Sequence, residues 1–216
     1  DINSVLVKQS FLGKYPIKVI QNGIDIDVFS PQNKDRMIKS KYKISDKFVI
    51  LGVAGTWSRR KGLEEFIKLS RNIDNNSIII LVGLNNKQLR SLPSNIIGIK
   101  RTENVKELAE LYSTADVFVN PTFEDTFPTT NLEALSCGTP IVTYKTGGSV
   151  EAVSEDTGII VEKGNVEQLL HAIKTIQNRG KSFYTIKCRE RAIKYFNKND
   201  RFNDYLSLYK DLLSQK

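Results

Sequence analysis

Four apolar runs constrain this chain more than any other feature: residues 48–54, 77–83, 117–119 and 140–144. Each is continuous rather than alternating, so a strand built from it needs cover on both faces. Between the runs lie apolar residues at helical spacing. They are Leu63, Phe66, Ile67 and Leu69, then Val105, Leu108, Ala109, Leu111 and Tyr112, then Leu132 and Leu135. Strands covered on both faces and linked through helices pair in parallel, with right-handed crossovers. Shorter runs at 18–20, 96–99 and 158–161 read as further strands, and helical stretches at 165–178, 183–195 and 200–214 finish the chain. These features predict an α/β fold, a Rossmann-like doubly wound parallel sheet of about six strands.

The chain has 216 residues, enough for one sizeable domain. Residues 17–216 read as that domain with its C-terminal helices, and residues 1–16 as a stub of linker or of a neighbouring domain. The chain opens on Asp1 rather than Met, as expected if its true start lies upstream. No run approaches the ~20 apolar residues of a membrane helix, and no signal-peptide pattern is visible. Cys137 and Cys188 lack partners at metal-ligand spacing, and two cysteines make no disulfide framework, so a cytoplasmic location is expected.

Net charge is +8, with basic residues gathered at Lys34, Arg36, Lys39, Lys41, Lys43 and Lys47 and again at Lys181, Lys187, Arg189, Arg191, Lys194 and Lys198. Solvated faces account for such clusters most simply. Peripheral contact with an anionic membrane surface, on the inner face of the cell membrane, is the sharper reading. No aromatic-rich RNA motif or zinc finger accompanies the charge, so nucleic acid is not an expected partner.

In an open parallel sheet, ligands bind beyond the carboxyl ends of the strands. Three of the loops expected there carry unusual residues. In the first, Gly55 and Gly62 frame Arg59, Arg60 and Lys61 at a strand-to-helix junction. Cations and free amides at a helix start favour a phosphate, although a solvated basic turn has the same composition. The Gly-Lys-Ser/Thr ending of a P-loop is absent.

The second loop runs from Asn120 to Glu133. Pro128 can open a helix at its first turn, leaving the amides of Thr129, Thr130 and Asn131 to face a diphosphate. The hydroxyls of Thr129 and Thr130 add donors, and Asp125 and Glu133 flank the stretch as acceptors for sugar hydroxyls. Capping by Asp125 or Thr126 is compatible with the same sequence. The third loop, residues 146–151, contains Gly147-Gly148, which either lets a ligand approach the backbone or simply makes a turn.

Taken together, these segments resemble the retaining glycosyltransferases of family 4, over nearly the whole chain. Four pieces carry the likeness in register. They are Val19-Ile20-Gln21-Asn22-Gly23-Ile24-Asp25, Lys61-Gly62, Leu132-Glu133-Ala134-Leu135-Ser136-Cys137-Gly138-Thr139-Pro140, and Gly147-Gly148 with Glu151. The resemblance implies the carboxy-terminal half of a two-domain GT-B architecture. It implies transfer of a sugar from a nucleotide-diphosphate sugar to an acceptor hydroxyl with retention, in polysaccharide or glycolipid biosynthesis. The acceptor, a glycan or lipid-linked sugar, would be met through the amino-terminal domain, and no metal or other cofactor is implied. A chain lacking that domain is expected to be inactive by itself.

The family signature is a glutamate, seven residues, then a glutamate. Asp125 takes the first position here and Glu133 the second. By resemblance these two are the catalytic pair, with Glu133 on the ribose and Asp125 and Phe127 near the donor sugar. Lys61, Arg60, Thr129 and Thr130 fall to the diphosphate and Arg101 to the base. The arginine that often follows the first glycine of the basic loop is replaced by Thr56, and Arg59 or Arg60 either compensates or stays exposed.

Other residues read as structural. His171, the single histidine, belongs to a late helix face, Cys137 and Trp57 to packing, and Asp25 and Asp27 lack metal spacing. Two alternatives remain, a non-catalytic nucleotide-sugar-binding module and a GT-B sugar-nucleotide epimerase. A dinucleotide-dependent oxidoreductase would need Gly-x-Gly-x-x-Gly after an early strand, which is missing.

Overall fold

The computed structural model describes residues 2–32 and 35–214. Six strands form one parallel sheet: β1 (Phe48–Val53), β2 (Ser77–Val82), β3 (Ile96–Ile99), β4 (Val117–Asn120), β5 (Ile141–Tyr144) and β6 (Gly158–Val161). Their order across the sheet is β3-β2-β1-β4-β5-β6. The chain steps outward from β1 to β3, returns to place β4 beside β1, and steps outward the other way to β6. With right-handed crossovers, that reversal puts helices on both faces and opens a crevice between β1 and β4.

The helices are α1 (Ile2–Lys8), α2 (Asp35–Lys41), α3 (Leu63–Ser70), α4 (Asn86–Arg90), α5 (Val105–Thr114), α6 (Thr129–Ser136), α7 (Val166–Arg179), α8 (Ser182–Phe196) and α9 (Lys198–Ser214). One layer brings α3 against α7, and the other brings α2, α5, α6 and α8 together. The apolar runs end fully buried, with Val49, Ile50, Leu51, Ile79, Ile80, Leu81, Phe118 and Val142 in one core. Trp57 joins that core, donating its indole N–H to the Val82 carbonyl at 2.8 Å and packing edge-on against Phe66.

Register levels the strand ends. Val53 sits beside Val82, Val82 beside Ile99, Asn120 beside Thr143 and Tyr144 beside Val161. The loops that follow therefore share one rim.

The sheet has the six strands expected, but not the segment at 18–20. That segment runs extended outside the sheet, with Val19 exposed, and lines a groove with residues of α1 and α9 instead. The only bridge in this stretch is Ile24 to Asn197. The polar connection between residue 24 and β1 contains α2, whose Ile38 is buried and which the composition of that stretch did not announce. α4 also went unforeseen, and a capping box between Asn85 and Gln88 holds it. Lys34 of the first basic cluster lies outside the described residues.

α9 is amphipathic but uncovered. Phe202, Tyr205, Leu206, Tyr209, Leu212 and Leu213 recur at helical spacing, and all are exposed. Among the described residues, no helix is long and apolar enough to cross a membrane.

Candidate functional site

Three loops meet at the rim around the β1–β4 crevice and lock onto one another. The loop after β1 ends in a short 3-10 turn, Arg59–Lys61, and Gly62. Gly62 adopts φ +78°, and a Cβ there would stand 2.3 Å from the Pro121 carbonyl oxygen. The turn thus rests directly on the loop after β4. Phe123 N–H and the Thr122 hydroxyl both donate to the Arg60 carbonyl, at 2.8 and 3.2 Å.

The loop after β5 holds the other side. A Cβ on Gly147 would stand 2.0 Å from the Asp125 carbonyl oxygen, and one on Gly148 1.8 Å from that of Thr126. The Gly148 N–H donates to the Asp125 carbonyl at 3.1 Å. These glycines serve a close approach to the protein's own backbone at 125–126. Buried Asn131 fastens the junction: its oxygen accepts from Asn120 Nδ2 at 2.8 Å, and its amide group donates to the Ser149 carbonyl at 3.1 Å. Glu151 closes the motif by accepting from Gln21 Nε2 at 2.6 Å, which ties the entry segment to this loop.

Lys61 and Asp125 come together across the crevice, Nζ to Oδ2 at 2.5 Å. Both side chains are partly buried. A groove of about 510 Å³ lies beside them, lined by Arg60, Asp125, Thr126, Gly147, Lys145 and Lys163 among others. A second groove of about 540 Å³ shares Arg60 and Lys163 and adds Arg59 and Lys68. Arg60 Nη1 also donates to the Glu124 carbonyl at 3.3 Å, so its guanidinium lies over the neighbouring loop rather than over Lys61.

α6 starts at Thr129 with Pro128 as its cap residue, and no side chain caps it. The capping expected of Asp125 or Thr126 is absent, because the Asp125 carboxylate is held by Lys61. Of the three amides expected to face a ligand, that of Asn131 instead donates to the Pro128 carbonyl at 3.1 Å. Thr129 is exposed and Thr130 half-buried at that helix start. Four residues further on, Glu133 turns inward and accepts from the Tyr112 hydroxyl at 2.8 Å on Oε2. Burial pushes the Glu133 carboxyl above the ordinary carboxylate range, and the Tyr112 hydroxyl pulls it part of the way back.

The remaining expected residues lie farther out. Phe127 packs against Phe196 of α8, ring centroids 5.9 Å apart, and lines a separate groove of about 380 Å³ with residues of the entry segment, α1 and α9. Arg101 stands exposed past the end of β3, the sheet edge two strands from β1. His171 is exposed on α7. Cys137 is buried, and burial pushes its thiol up to about 12, as suits a packing residue. Asp25 accepts from the Asp27 and Val28 amides and pairs with Lys198, which lowers its carboxyl and makes it a structural turn residue. Among the described residues, no three His, Cys, Asp or Glu side chains gather as metal ligands.

A doubly wound sheet whose crevice carries a lysine–aspartate pair and an inward glutamate can be compared with known families. The family described as glycosyl transferases group 1 matches residues 47–179, well over half of the chain and all six strands. The chain belongs to this family. Among its relatives, the D-inositol 3-phosphate glycosyltransferase of Paenarthrobacter aurescens (strain TC1) is 31% identical over 161 residues, covering 68% of this chain and 39% of that protein. The capsular polysaccharide biosynthesis glycosyltransferase CapM of Staphylococcus aureus is 27% identical over 218 residues, covering 90% of this chain and 54% of CapM. Among solved structures, Anabaena HepE in complex with UDP-glucose superposes with a TM-score of 0.79 at 19% identity, over 90% of this chain and 57% of HepE. The chain thus spans about half the length of the relatives it matches.

Within this glycosyl transferases group 1 chain, the two acidic positions of the signature do not meet. Asp125 faces Lys61 across the crevice, and Glu133 sits one helix turn inside, against α5. Sequence reasoning did not find Tyr112, which carried only the apolar spacing of its helix. Nor did it find the part played by the Asn131 side chain, whose two bonds tie α6 to the end of β4 and to the loop after β5.

Proposed function

We propose that this chain is the donor-binding half of a retaining glycosyltransferase that takes a nucleotide-diphosphate sugar as donor and an acceptor hydroxyl as target. The observation that carries the reading is the Lys61–Asp125 pair at the sheet's topological switch, with the uncapped start of α6 at Thr129, shortly after Asp125 in the chain. Lys61 supplies charge to the diphosphate, and the free first amides and hydroxyls of Thr129 and Thr130 supply donors. These groups stabilise negative charge building on the leaving diphosphate as the bond to the sugar breaks.

Strand order supports one direction for the ligand on this reading. The base would lie toward β3 and Arg101, the ribose on Glu133, the diphosphate at Lys61 and the sugar at Asp125, with Phe127 in the neighbouring groove. The distance from β3 to β4 is three strand spacings, about 14 Å, a span that suits an extended nucleotide sugar. Lys61 must exchange Asp125 for phosphate, which frees the Asp125 carboxylate for the sugar hydroxyls. Arg60, which lines the grooves on both sides, and Arg59, which lines the adjoining one, are the candidates to substitute for the arginine missing at Thr56.

A second domain brings the acceptor, a glycan or a lipid-linked sugar. The exposed apolar faces of α1 and α9 flank the groove at Thr126 and Phe127 and suit such a domain. The relatives' activities, on inositol 3-phosphate and in capsular polysaccharide biosynthesis, favour a polar or carbohydrate acceptor. Exposed Lys187 and Lys194 on α8 fit peripheral attachment to an anionic membrane on the cytoplasmic side. No metal is required by this scheme.

Calorimetric titration with UDP, GDP and ADP tests the reading, beside Lys61→Ala and Glu133→Ala. Saturable binding of one nucleotide, weakened at least about tenfold in each variant, is the expected result. Absence of binding both in this chain and in a longer form carrying the second domain would overturn it.

A further inference from the structure

Glu133 is an unusual choice for a ligand contact, because a half-buried carboxylate with a free rotamer would find other partners or fold away. The structure supplies a restraint. Tyr112 is fully buried, wedged edge-on between Phe29 and Phe118 at ring-centroid distances of 6.1 and 5.3 Å. Its carbonyl is held by the Thr139 hydroxyl at 2.6 Å. The ring therefore cannot swing, and its hydroxyl is delivered to one oxygen of Glu133, Oε2, at 2.8 Å. Among the described residues, Oε1 accepts no hydrogen bond.

We infer that Tyr112 is the positioning residue of the ribose site: its hydroxyl fixes the Glu133 carboxylate by one oxygen and leaves the other aimed at the ribose diol. The inference rests on the donor-binding reading above. A phenylalanine would fill the same space in the core, so the hydroxyl's use is at Glu133. A buried hydroxyl needs a partner, and a partly buried carboxylate needs a donor; each satisfies the other. Tyr112 itself touches no substrate. It acts by removing rotamer freedom from the group that does, so less freedom is lost when the nucleotide binds.

The test measures ribose preference, the affinity for a nucleoside diphosphate divided by that for its 2′,3′-dideoxy form. The wild-type chain, Tyr112→Phe and Glu133→Gln are titrated with UDP, GDP and ADP and their dideoxy counterparts. Wild type should favour the ribose form of the nucleotide it binds. Tyr112→Phe should lower that preference by about tenfold while leaving the dideoxy affinity unchanged. A variant that keeps the preference overturns the inference. So does one that weakens both forms alike, which is the mark of a packing role.

Glu133→Gln decides the matter if Tyr112→Phe does not fold. The Tyr112 hydroxyl can hold the amide from either end, but a neutral amide accepts from the diol less strongly than a carboxylate in either orientation. Glu133→Gln should therefore lower the ribose preference severalfold with the dideoxy affinity unchanged, and a preference equal to that of the wild type also overturns the inference. Failure of the wild type to bind any nucleotide, here and with the second domain present, is a different outcome. It removes the donor-binding reading and this inference with it.

Discussion

Replacing Gly148 with alanine isolates the lock between the loops after β4 and β5. The added Cβ would stand 1.8 Å from the Thr126 carbonyl oxygen, 2.8 Å from its carbon and 3.2 Å from Phe127 Cα. All three neighbours are backbone, so no side chain can swing aside. An ordinary non-bonded approach is about 3.5 Å, so the two chains must part by roughly 1.5 Å. That separation lengthens the Gly148 N–H bond to Asp125 and strains the Asn131 bond to Ser149. Overpacking at about 1–3 kcal/mol plus one weakened hydrogen bond gives a loss of about 2–4 kcal/mol. For a domain of this size, at about 2–4 °C per kcal/mol, that lowers Tm by about 4–16 °C. Asp125 rides on the displaced segment, so nucleotide affinity falls with stability. Thermal unfolding by circular dichroism and calorimetric titration read the two effects. A Gly148→Ala chain with unchanged Tm and unchanged affinity would refute the claim that the glycine pair seats the Asp125 loop.

Two further predictions follow from buried carboxylates. Glu65 of α3 is buried, accepting from the Tyr144 hydroxyl at 2.5 Å and pairing with Lys68 at 2.9 Å. Tyr144→Phe should cost about 1.5–3 kcal/mol in urea unfolding, since it takes a donor from a buried charged group. A loss below about 0.5 kcal/mol would show that Lys68 alone satisfies the carboxylate. For Glu133, burial raises the carboxyl above its ordinary value of 4.5. Its contribution to stability is therefore greatest below that value and declines as pH rises through the folded value. Nucleotide binding as proposed uses the charged form and runs the other way. Affinity should fall as pH drops from neutral toward 4.5, and Glu133→Gln should flatten that step. Equal pH dependence in wild type and Glu133→Gln would exclude Glu133 as the group responsible.

Much of the architecture was legible in the chain itself. Continuous apolar runs at 48–54, 77–83, 117–119 and 140–144 demanded strands covered on both faces, and helical spacing between them demanded crossovers. Burial of a whole face repeats with the period of the backbone, so it is written locally. The positions of Lys61, Asp125 and Glu133 were legible too, since Lys61 follows the end of β1 and the two acids follow the end of β4, strands that the pattern had already located.

What the sequence could not give was who meets whom. Lys61 pairs with Asp125, 64 residues away, because β4 returns beside β1. Tyr112 reaches Glu133, 21 residues on, because α5 and α6 pack on the same face of the sheet. Gly147 and Gly148 were ambiguous between ligand and turn until the 125–126 backbone was seen against them. The segment at 18–20 has strand-like composition, yet it lies beside α1 and α9 rather than in the sheet. α2 and α4 are too short to announce themselves by periodicity, and they owe their existence to a cap and to tertiary packing. Periodicity records which face of an element is buried; which side chains then touch is settled only when strand order and register bring distant segments together.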